Sequence, residues 1–425
     1  MKDLCRRVLA KIKKRYSINP SFLFLCLLHY ARMRTRSLIL VGIIVLSCLT
    51  VKAEDGDTIC ADHITASVLV MSPGEAIYSQ FGHIALRIEV PEKRYDYCFS
   101  YEEVPGFAGL LEFFLGKTDA HLNAVPTSKF LETYRQEGRQ VMQYALSLNP
   151  RQKQELWQQL KDDCVKDEFR KFNLLQNNCS SVSLRAVENV LGDEKIDFNG
   201  WPEQFQMING DGVRYLSRFS PWLEFWNMTF LGTESDTYWE HEQQMSPELM
   251  PDVLKKASLV SSDGKRRPVL TEEKELLPLV NEFRPSPLTP MRVFGFLLIF
   301  TILITFAQYK WKLNVLPRAL DVLLMTVVTI GGIILIHTSF VSGLFGVHWN
   351  WYLIPFNPLP FIIWLIWHKR KGLNNVYIFY TIVLVLFIIA TPMSHQLDLP
   401  HQLITATLVV RCMFHSWIGA NKLEY

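Results

Sequence analysis

The sequence predicts an α+β domain outside the cytoplasm, followed by an all-α transmembrane bundle of about five helices. The chain has 425 residues, of which 49% are hydrophobic and only 20% are charged, a balance that favours a membrane protein. Long apolar stretches are confined to the region after residue 290, where each approaches the length of a bilayer core. Short segments of alternating polarity before residue 150 predict the strands of a small antiparallel sheet.

The charges divide the chain into three parts. Residues 1–53 hold eleven Lys and Arg against one acid, residues 54–290 hold 24 against 37, and residues 291–425 hold nine against three. An acidic middle without a clustered basic face excludes nucleic acid as a partner. The sequence has no GxxxxGK[ST], GxGxxG, HExxH or CxxC motif, so neither a cofactor nor a metal site is expected.

The first 53 residues form a leader. An apolar run at 37–49 follows Arg34 and Arg36 and precedes a small-residue site ending at Ala53. This pattern predicts a secretory signal, and an uncleaved signal anchor is the alternative. Both interpretations send the next segment across the membrane.

Five apolar spans are predicted near the C-terminus, at 291–309, 319–340, 352–367, 376–391 and 401–418. The third is interrupted by three prolines, so part of it is expected to be re-entrant. Lys and Arg occupy the loops after the first and third spans and are absent from the loops after the second and fourth. The positive-inside rule therefore places the segment 54–290 on the outer side.

The outer domain divides into a catalytic part at 54–282 and a hinge at 283–290 that contains three prolines. Within the catalytic part, the alternation of polarity predicts strands and the apolar periodicity predicts helices. The strands are expected at 64–71, 83–90, 95–101 and 139–148, with a hairpin turn between the second and third. Helices are expected at 107–115, 128–136 and 150–165, and a further helix starts after Asn178 and ends at Gly192.

Cys179 and His83 are the candidate nucleophile and base. Asn178 is a good N-cap, which places Cys179 at the first helical position, where the helix dipole favours the thiolate. His83 opens a predicted strand directly after Gly82, whose missing side chain leaves the imidazole accessible. A Cys at a helix start beside a strand that carries a His is the arrangement of papain-like enzymes.

A resemblance to a known family supports this pair. The segment SPGEAIYSQFGHIALR at 72–87, followed about ninety residues later by NNCS at 177–180, resembles the Lnb family of lipoprotein N-acyltransferases. The order of His before Cys also resembles the circularly permuted papain-like (NlpC/P60-like) superfamily. The resemblance implies a permuted papain-like fold for the outer domain, with His83 as base and Cys179 as nucleophile.

The same resemblance implies the reaction and its location. An acyl chain would pass from a membrane phospholipid, through a thioester on Cys179, to the α-amine of a lipoprotein's diacylglyceryl-cysteine. The phospholipid donor and the diacylated lipoprotein acceptor are the implied partners. The protein would be integral to the bacterial inner membrane, with residues 54–290 in the periplasm.

Other residues have secondary roles in this scheme. Asp96 or Ser100 could orient the imidazole, and Tyr78 or Gln80 could line an oxyanion pocket, but for any one of them singly an ordinary exposed polar residue of a strand or loop is the preferred interpretation. Lipid or substrate contacts are predicted at Trp222, Trp226, His348 and Asn350, for which a plain aromatic belt is the alternative. An oxidising compartment permits one disulfide among Cys60, Cys98 and Cys164.

Two other functions fit the same residues. A membrane-anchored cell-wall peptidase or amidase of the NlpC/P60 type would use the same Cys–His pair but has little need of five spans. A non-catalytic membrane assembly factor would need neither His83 nor Cys179.

Overall fold

The structure is a computed structural model that describes residues 63–76, 79–102, 119–166, 170–171, 177–199, 207–238, 246–282, 284–342, 344, 346–367 and 373–421. All of them belong to one compact unit, Ala61–Tyr425. The predicted leader, the helix predicted at 107–115, Tyr78 and Cys60 lie outside the described residues.

An antiparallel sheet of seven strands forms the centre of the outer domain. The described strands of this sheet and of a second, smaller sheet are, in chain order, β1 Thr65–Met71, β2 His83–Val90, β3 Tyr95–Glu102, β4 Asp119–Pro126, β5 Val141–Leu146, β6 Arg170–Lys171, β7 Lys195–Asp197, β8 Ser258–Val260, β9 Arg266–Pro268 and β10 Leu270–Leu277. In the large sheet the order is β10-β5-β1-β2-β3-β4-β6, and β7, β8 and β9 form a second, smaller sheet.

Four of these strands, β1, β2, β3 and β5, confirm the sequence predictions. The hairpin between β2 and β3 is also confirmed, and Pro91–Lys93 form a 3-10 turn between them. The sequence does not predict strand β10, because its segment LTEEKELL is mostly exposed and shows no alternation. It nevertheless pairs with β5 and closes one edge of the sheet.

Among the described residues, six helices accompany the sheets: α1 Thr127–Glu137, α2 Pro150–Lys166, α3 Cys179–Glu188, α4 Asn209–Ser217, α5 Pro221–Phe230 and α6 Met250–Lys256. Phe130 and Tyr134 of α1 pack on Leu69, Met71 and other side chains of the sheet in a buried apolar cluster. Helix α3 ends at Glu188 and not at the predicted Gly192, which lies in the following turn with φ of 70°.

The C-terminal part is helical, with α7 Pro290–Trp311, α8 Val315–Phe340, α9 Leu359–Trp367, α10 Leu373–Ile389 and α11 Leu399–Asn421. Among the described residues, α7 and α8 are long and apolar enough to cross a membrane. In the third predicted span, 352–367, helix α9 has nine residues and reaches only about 14 Å, so it covers part of the segment that the prolines interrupt. The count of five spanning helices stays a prediction.

An ion cluster joins three helices of this bundle. Arg411 of α11 is 3% exposed and binds both carboxylate oxygens of Asp321 on α8, at 2.6 and 2.7 Å. Its guanidinium also donates to Thr305 and Gln308 of α7, at 2.8 and 3.0 Å. His415 lies 2.8 Å from the same carboxylate. The cluster explains why two charged residues are tolerated inside apolar segments.

Asp321→Asn is expected to destabilise the bundle by about 3–5 kcal/mol, because it leaves a buried guanidinium without its counter-charge. Thermal unfolding of the purified protein in detergent measures this loss. The double variant Asp321→Leu with Arg411→Met should recover much of the stability, since no buried charge remains. A double variant as unstable as Asp321→Asn would contradict this explanation.

Candidate functional site

The start of α3 is held by a complete capping box. The Asn178 side chain accepts hydrogen bonds from the backbone N–H groups of Ser180 and Ser181, at 3.0 and 2.9 Å. In return the Ser181 hydroxyl accepts from the Asn178 N–H at 3.1 Å. Asn177, the residue before the N-cap, accepts a hydrogen bond from the Arg185 side chain of α3 at 2.6 Å. The cap fixes Cys179, a partly exposed cysteine that forms no disulfide, at the positive end of the helix.

His83 lies at the first position of β2, directly after a glycine in the left-handed region. Gly82 has φ of 78°, and a Cβ atom there would lie 2.6 Å from the Met71 carbonyl oxygen. Met71 is also the strand partner of His83 in β1. The close approach of the two backbones therefore requires glycine and sets the direction in which the chain enters β2. The Nε2 atom of His83 is buried.

The loop before His83 is fastened at both of its ends. At its start, the buried Arg139 donates to the Ser72 carbonyl at 2.7 Å, and its guanidinium lies over the Tyr134 ring at 4.7 Å. Near its end, Gln80 accepts a hydrogen bond from the Ser220 hydroxyl. Ser220 is the N-cap of α5, so this helix contacts the loop that carries the candidate base.

The structure brings the elements of the two candidate residues together. Helix α3, which begins at Cys179, packs against β2 and β3. Strand β2 begins at His83. The thiol and the imidazole are therefore each at the first residue of their element, and these elements are neighbours.

The structure does not bring Asp96 to His83. Asp96 pairs with Glu89, six residues further along β2, which is a distance of about 20 Å. Its carboxylate binds Arg87 through two contacts of 2.8 Å and accepts from Thr127 at 2.6 Å. Burial acts to raise the pKa of Asp96, but these hydrogen bonds outweigh burial and hold the pKa below its usual range. The prediction that Asp96 orients the imidazole is therefore wrong.

Ser100 is better placed than Asp96 to lie near His83. It is fully buried, and it shares a sheet face with Cys98, which pairs with Arg87 of β2. Because side chains alternate along a strand, this is also the face of His83. The proposed oxyanion role of Gln80 is not supported, since its amide N–H group donates to the Glu75 carbonyl at 3.2 Å.

The cysteines of the outer domain differ in exposure. Cys98 and Cys164 are free thiols, so neither forms the disulfide that the sequence permits. Cys98 is fully buried 3.3 Å from the Thr127 hydroxyl, and burial raises its pKa to about 12. Burial also raises the pKa of Cys164.

The predicted lipid-contact residues separate into two groups. Trp226 is 48% exposed, and His348 is partly exposed 3.7 Å from Glu234. Trp222 instead donates to the Leu288 carbonyl at 2.6 Å and packs on Phe294 of α7. Trp222 therefore fastens the predicted hinge to α5.

Asn350 belongs to a buried polar joint, so the prediction that it contacts lipid is wrong. It is 4% exposed, donates to the Thr229 carbonyl of α5 at 2.7 Å and accepts from Gln396 at 2.7 Å. We use the term buried joint for Thr229, Asn350, Tyr352, Gln396, Asp398 and His401.

His401 lies at the centre of the buried joint. Its ring is stacked between Phe225 and Tyr352, with centroid distances of 4.3 and 3.8 Å. Its two nitrogens contact the Thr229 hydroxyl at 2.7 Å and the Asp398 carboxylate at 2.5 Å. Sequence reasoning misses this residue, although a His within a predicted span is a signal that it has a buried partner.

No metal site was found: among the described ranges, no group of three His, Cys, Asp or Glu side chains could hold an ion.

Comparison with known families identifies both parts of the chain. A family model for the Lnb N-terminal periplasmic domain matches residues 55–208, and a model for the Lnb transmembrane domain matches residues 282–423. The chain belongs to the Lnb family. It is therefore a membrane protein with a periplasmic segment, and membership indicates a role in lipoprotein maturation. Searches of curated proteins and of solved structures returned no match.

Gly82→Ala is expected to lower the free energy of unfolding by about 1 kcal/mol more than Gly264→Ala does. Both glycines have positive φ, but a Cβ at Gly264 meets no atom within 4 Å, whereas one at Gly82 strikes the Met71 backbone. Denaturant unfolding of both variants measures the difference. Equal losses would contradict the close approach at Gly82.

Cys179 is expected to react with iodoacetamide at neutral pH much faster than Cys98. With a pKa of about 12, only about one Cys98 thiol in 100,000 is ionised at pH 7, and it is also shielded from solvent. Peptide mass spectrometry after timed labelling measures both rates, and urea-unfolded protein is the control in which both thiols react. Faster labelling of Cys98 in the folded protein would contradict the assignment.

Proposed function

We propose that this protein is an apolipoprotein N-acyltransferase that uses Cys179 as nucleophile and His83 as general acid and base. The observation that carries the proposal is the capped start of α3 packed against the strand that His83 opens, in a chain of the Lnb family. The helix terminus favours the thiolate at Cys179, and the neighbouring strand supplies an imidazole. The arrangement resembles that of permuted papain-like enzymes.

In the first half-reaction, the Cys179 thiolate attacks an ester carbonyl of a phospholipid. The C–O bond of the ester breaks, the acyl group remains on sulfur as a thioester, and the His83 imidazolium protonates the departing lysophospholipid alkoxide. Neutral imidazole is left for the second step.

In the second half-reaction, the α-amine of the lipoprotein's diacylglyceryl-cysteine attacks the thioester. A C–N bond forms, the C–S bond breaks, and His83 takes the proton that the amine loses. Conversion of a thioester to an amide is downhill, so the reaction needs no nucleotide. Water must be kept from the thioester, and a site close to lipid helps to exclude it.

Helix α5 explains how such a site would be held at the membrane. Its N-terminus contacts the loop before His83 through Ser220, and its C-terminal half enters the buried joint through Thr229. The exposed ring of Trp226 lies between these two contacts. Because Trp is favoured at the membrane interface, we propose that this ring enters the outer lipid surface.

Cys179→Ser and His83→Gln are each expected to reduce lipoprotein N-acylation by about a thousandfold or more, because each removes one member of a cooperating pair. The measurement is the mass of a reporter lipoprotein's N-terminal lipopeptide, in cells that lack the native gene and carry each variant. N-acylation adds the mass of one fatty-acyl chain.

Cys164→Ser is the matched control, since it removes a thiol of the same domain that lies at the end of α2 and donates to the Leu122 carbonyl of β4. It should retain N-acylation at wild-type level when the variants are present in the membrane in equal amounts. Full N-acylation with Cys179→Ser would overturn the proposed nucleophile. Unchanged lipopeptide masses without the gene would overturn the function.

A further inference from the structure

An open cleft of about 410 Å³ with a mixed polar and apolar lining lies between α4 and the segment that joins α10 to α11. Its polar lining consists of Arg214 on α4 and Thr391, Ser394, His395 and Asp398 on the joining segment. The same joining segment contributes Gln396 to the buried joint with α5. The cleft therefore lies at the end of the bundle that contacts α5, which the predicted topology places on the outer side.

Arg214 is held loosely in this cleft. Its guanidinium lies 3.5 Å from Asp211 and 4.0 Å from Glu224, and it donates to the Leu397 carbonyl at 3.4 Å. These contacts are longer than the length of about 2.7–3.2 Å that a good N–H···O bond has. A guanidinium in a cleft without a short bond to its neighbours remains able to bind an anion.

Two other arginines of the same chain differ from Arg214, because each makes short hydrogen bonds to a carboxylate. Arg87 binds Asp96 through two contacts of 2.8 Å, and Arg411 binds Asp321 at 2.6 and 2.7 Å. Those guanidinium groups are occupied by a carboxylate in two-point geometry, which is also the geometry of phosphate binding. Arg214 has the same capacity but lacks such a partner among the described residues.

The groups around Arg214 favour a ligand that carries a negative and a positive charge. Thr391 offers a buried hydroxyl that has no hydrogen-bond partner among the described residues. The Asp398 carboxylate is hydrogen-bonded to the His401 ring at 2.5 Å. The Asp211 carboxylate is half-exposed, and it lies 3.4 Å from the His395 ring. Glu224 lies 4.0 Å from the guanidinium, further away than Asp211. Asp211 is thus the carboxylate that remains for a cationic group.

We propose that this cleft binds the head group of an outer-leaflet phospholipid, with its phosphodiester on Arg214 and Thr391 and its ammonium group on Asp211. A phosphoethanolamine head group carries both charges, and Asp211 lies beside the cleft, 3.5 Å from Arg214. The binding site is inferred from the residues of the cleft alone. The identification of the bound lipid as the acyl donor rests on the function proposed above.

The test measures lipid binding to the full chain in detergent by native mass spectrometry, with dioleoyl phosphatidylethanolamine as the probe. All variants carry Cys179→Ser, so that no turnover occurs and a failure of the proposed reaction leaves the binding result unaffected. Arg214→Gln is expected to weaken binding about tenfold or more, because a charge-assisted bond to phosphate is lost. Arg214→Lys should retain part of the affinity.

Arg218→Gln is the matched control. Arg218 lies one turn further along the chain, where it binds Glu248 and stacks on Tyr215, and its loss should leave lipid binding unchanged. Glycerophosphoethanolamine should compete with the lipid, and inorganic phosphate should compete far less.

Three results would overturn the proposal. They are equal binding by wild type and Arg214→Gln, equal loss with Arg218→Gln, and competition by inorganic phosphate as strong as that by glycerophosphoethanolamine. Equal binding of dioleoyl phosphatidylglycerol would overturn the role of Asp211. Thermal unfolding of each variant identifies any loss of binding that comes from misfolding.

Discussion

The buried joint around His401 is the constraint on which the arrangement of the molecule depends. A polar side chain in an apolar interior is costly unless all its hydrogen-bonding atoms have partners, and here the two ring nitrogens reach Thr229 on one side and Asp398 on the other. Asp398 lies just before α11 in the same segment as His401, so the Thr229 hydroxyl makes the bond that joins α5 to α11, and Asn350 donates a second bond to the Thr229 carbonyl. Apolar packing alone would allow the helix to slide, whereas these bonds fix its position.

The consequences of this joint extend along α5 to the candidate site. A helix of ten residues is a short, stiff element of about 15 Å. One end is fixed in the bundle, and the Ser220 end contacts Gln80 in the loop before His83. The loop is further held by Arg139, a buried side chain from the turn between α1 and β5. The loop before His83 is thus held against the helical C-terminal part through α5.

Local signals account for the features that the sequence predicts well. The capping box at Asn178 and the left-handed glycine at Gly82 act within a few residues, so their effects on α3 and β2 can be inferred from the residue pattern alone. Both ends of β2 match the prediction to the residue for the same reason. The assignment of Asp96 fails because it needs the register between β2 and β3, which pairs Asp96 with Glu89 and not with the start of the strand.

Non-local contacts account for the features that sequence reasoning misses. Thr229 and His401 are 172 positions apart, and nothing in the pattern around either residue indicates the other. Strand β10 is not predicted from the sequence because it pairs with β5, whose residues lie more than 120 positions earlier in the chain.

The position of β10 has a consequence for biosynthesis. This strand is the last element of the outer domain before α7, and yet it completes an edge of the sheet beside β5. A ribosome must therefore make all of residues 65–277 before the sheet can close, at which point the first long apolar helix is about to emerge. Until then β5 presents an unpaired edge, which a chaperone or another chain could occupy. Secretion and assembly of the two halves of the protein are thereby coupled in time.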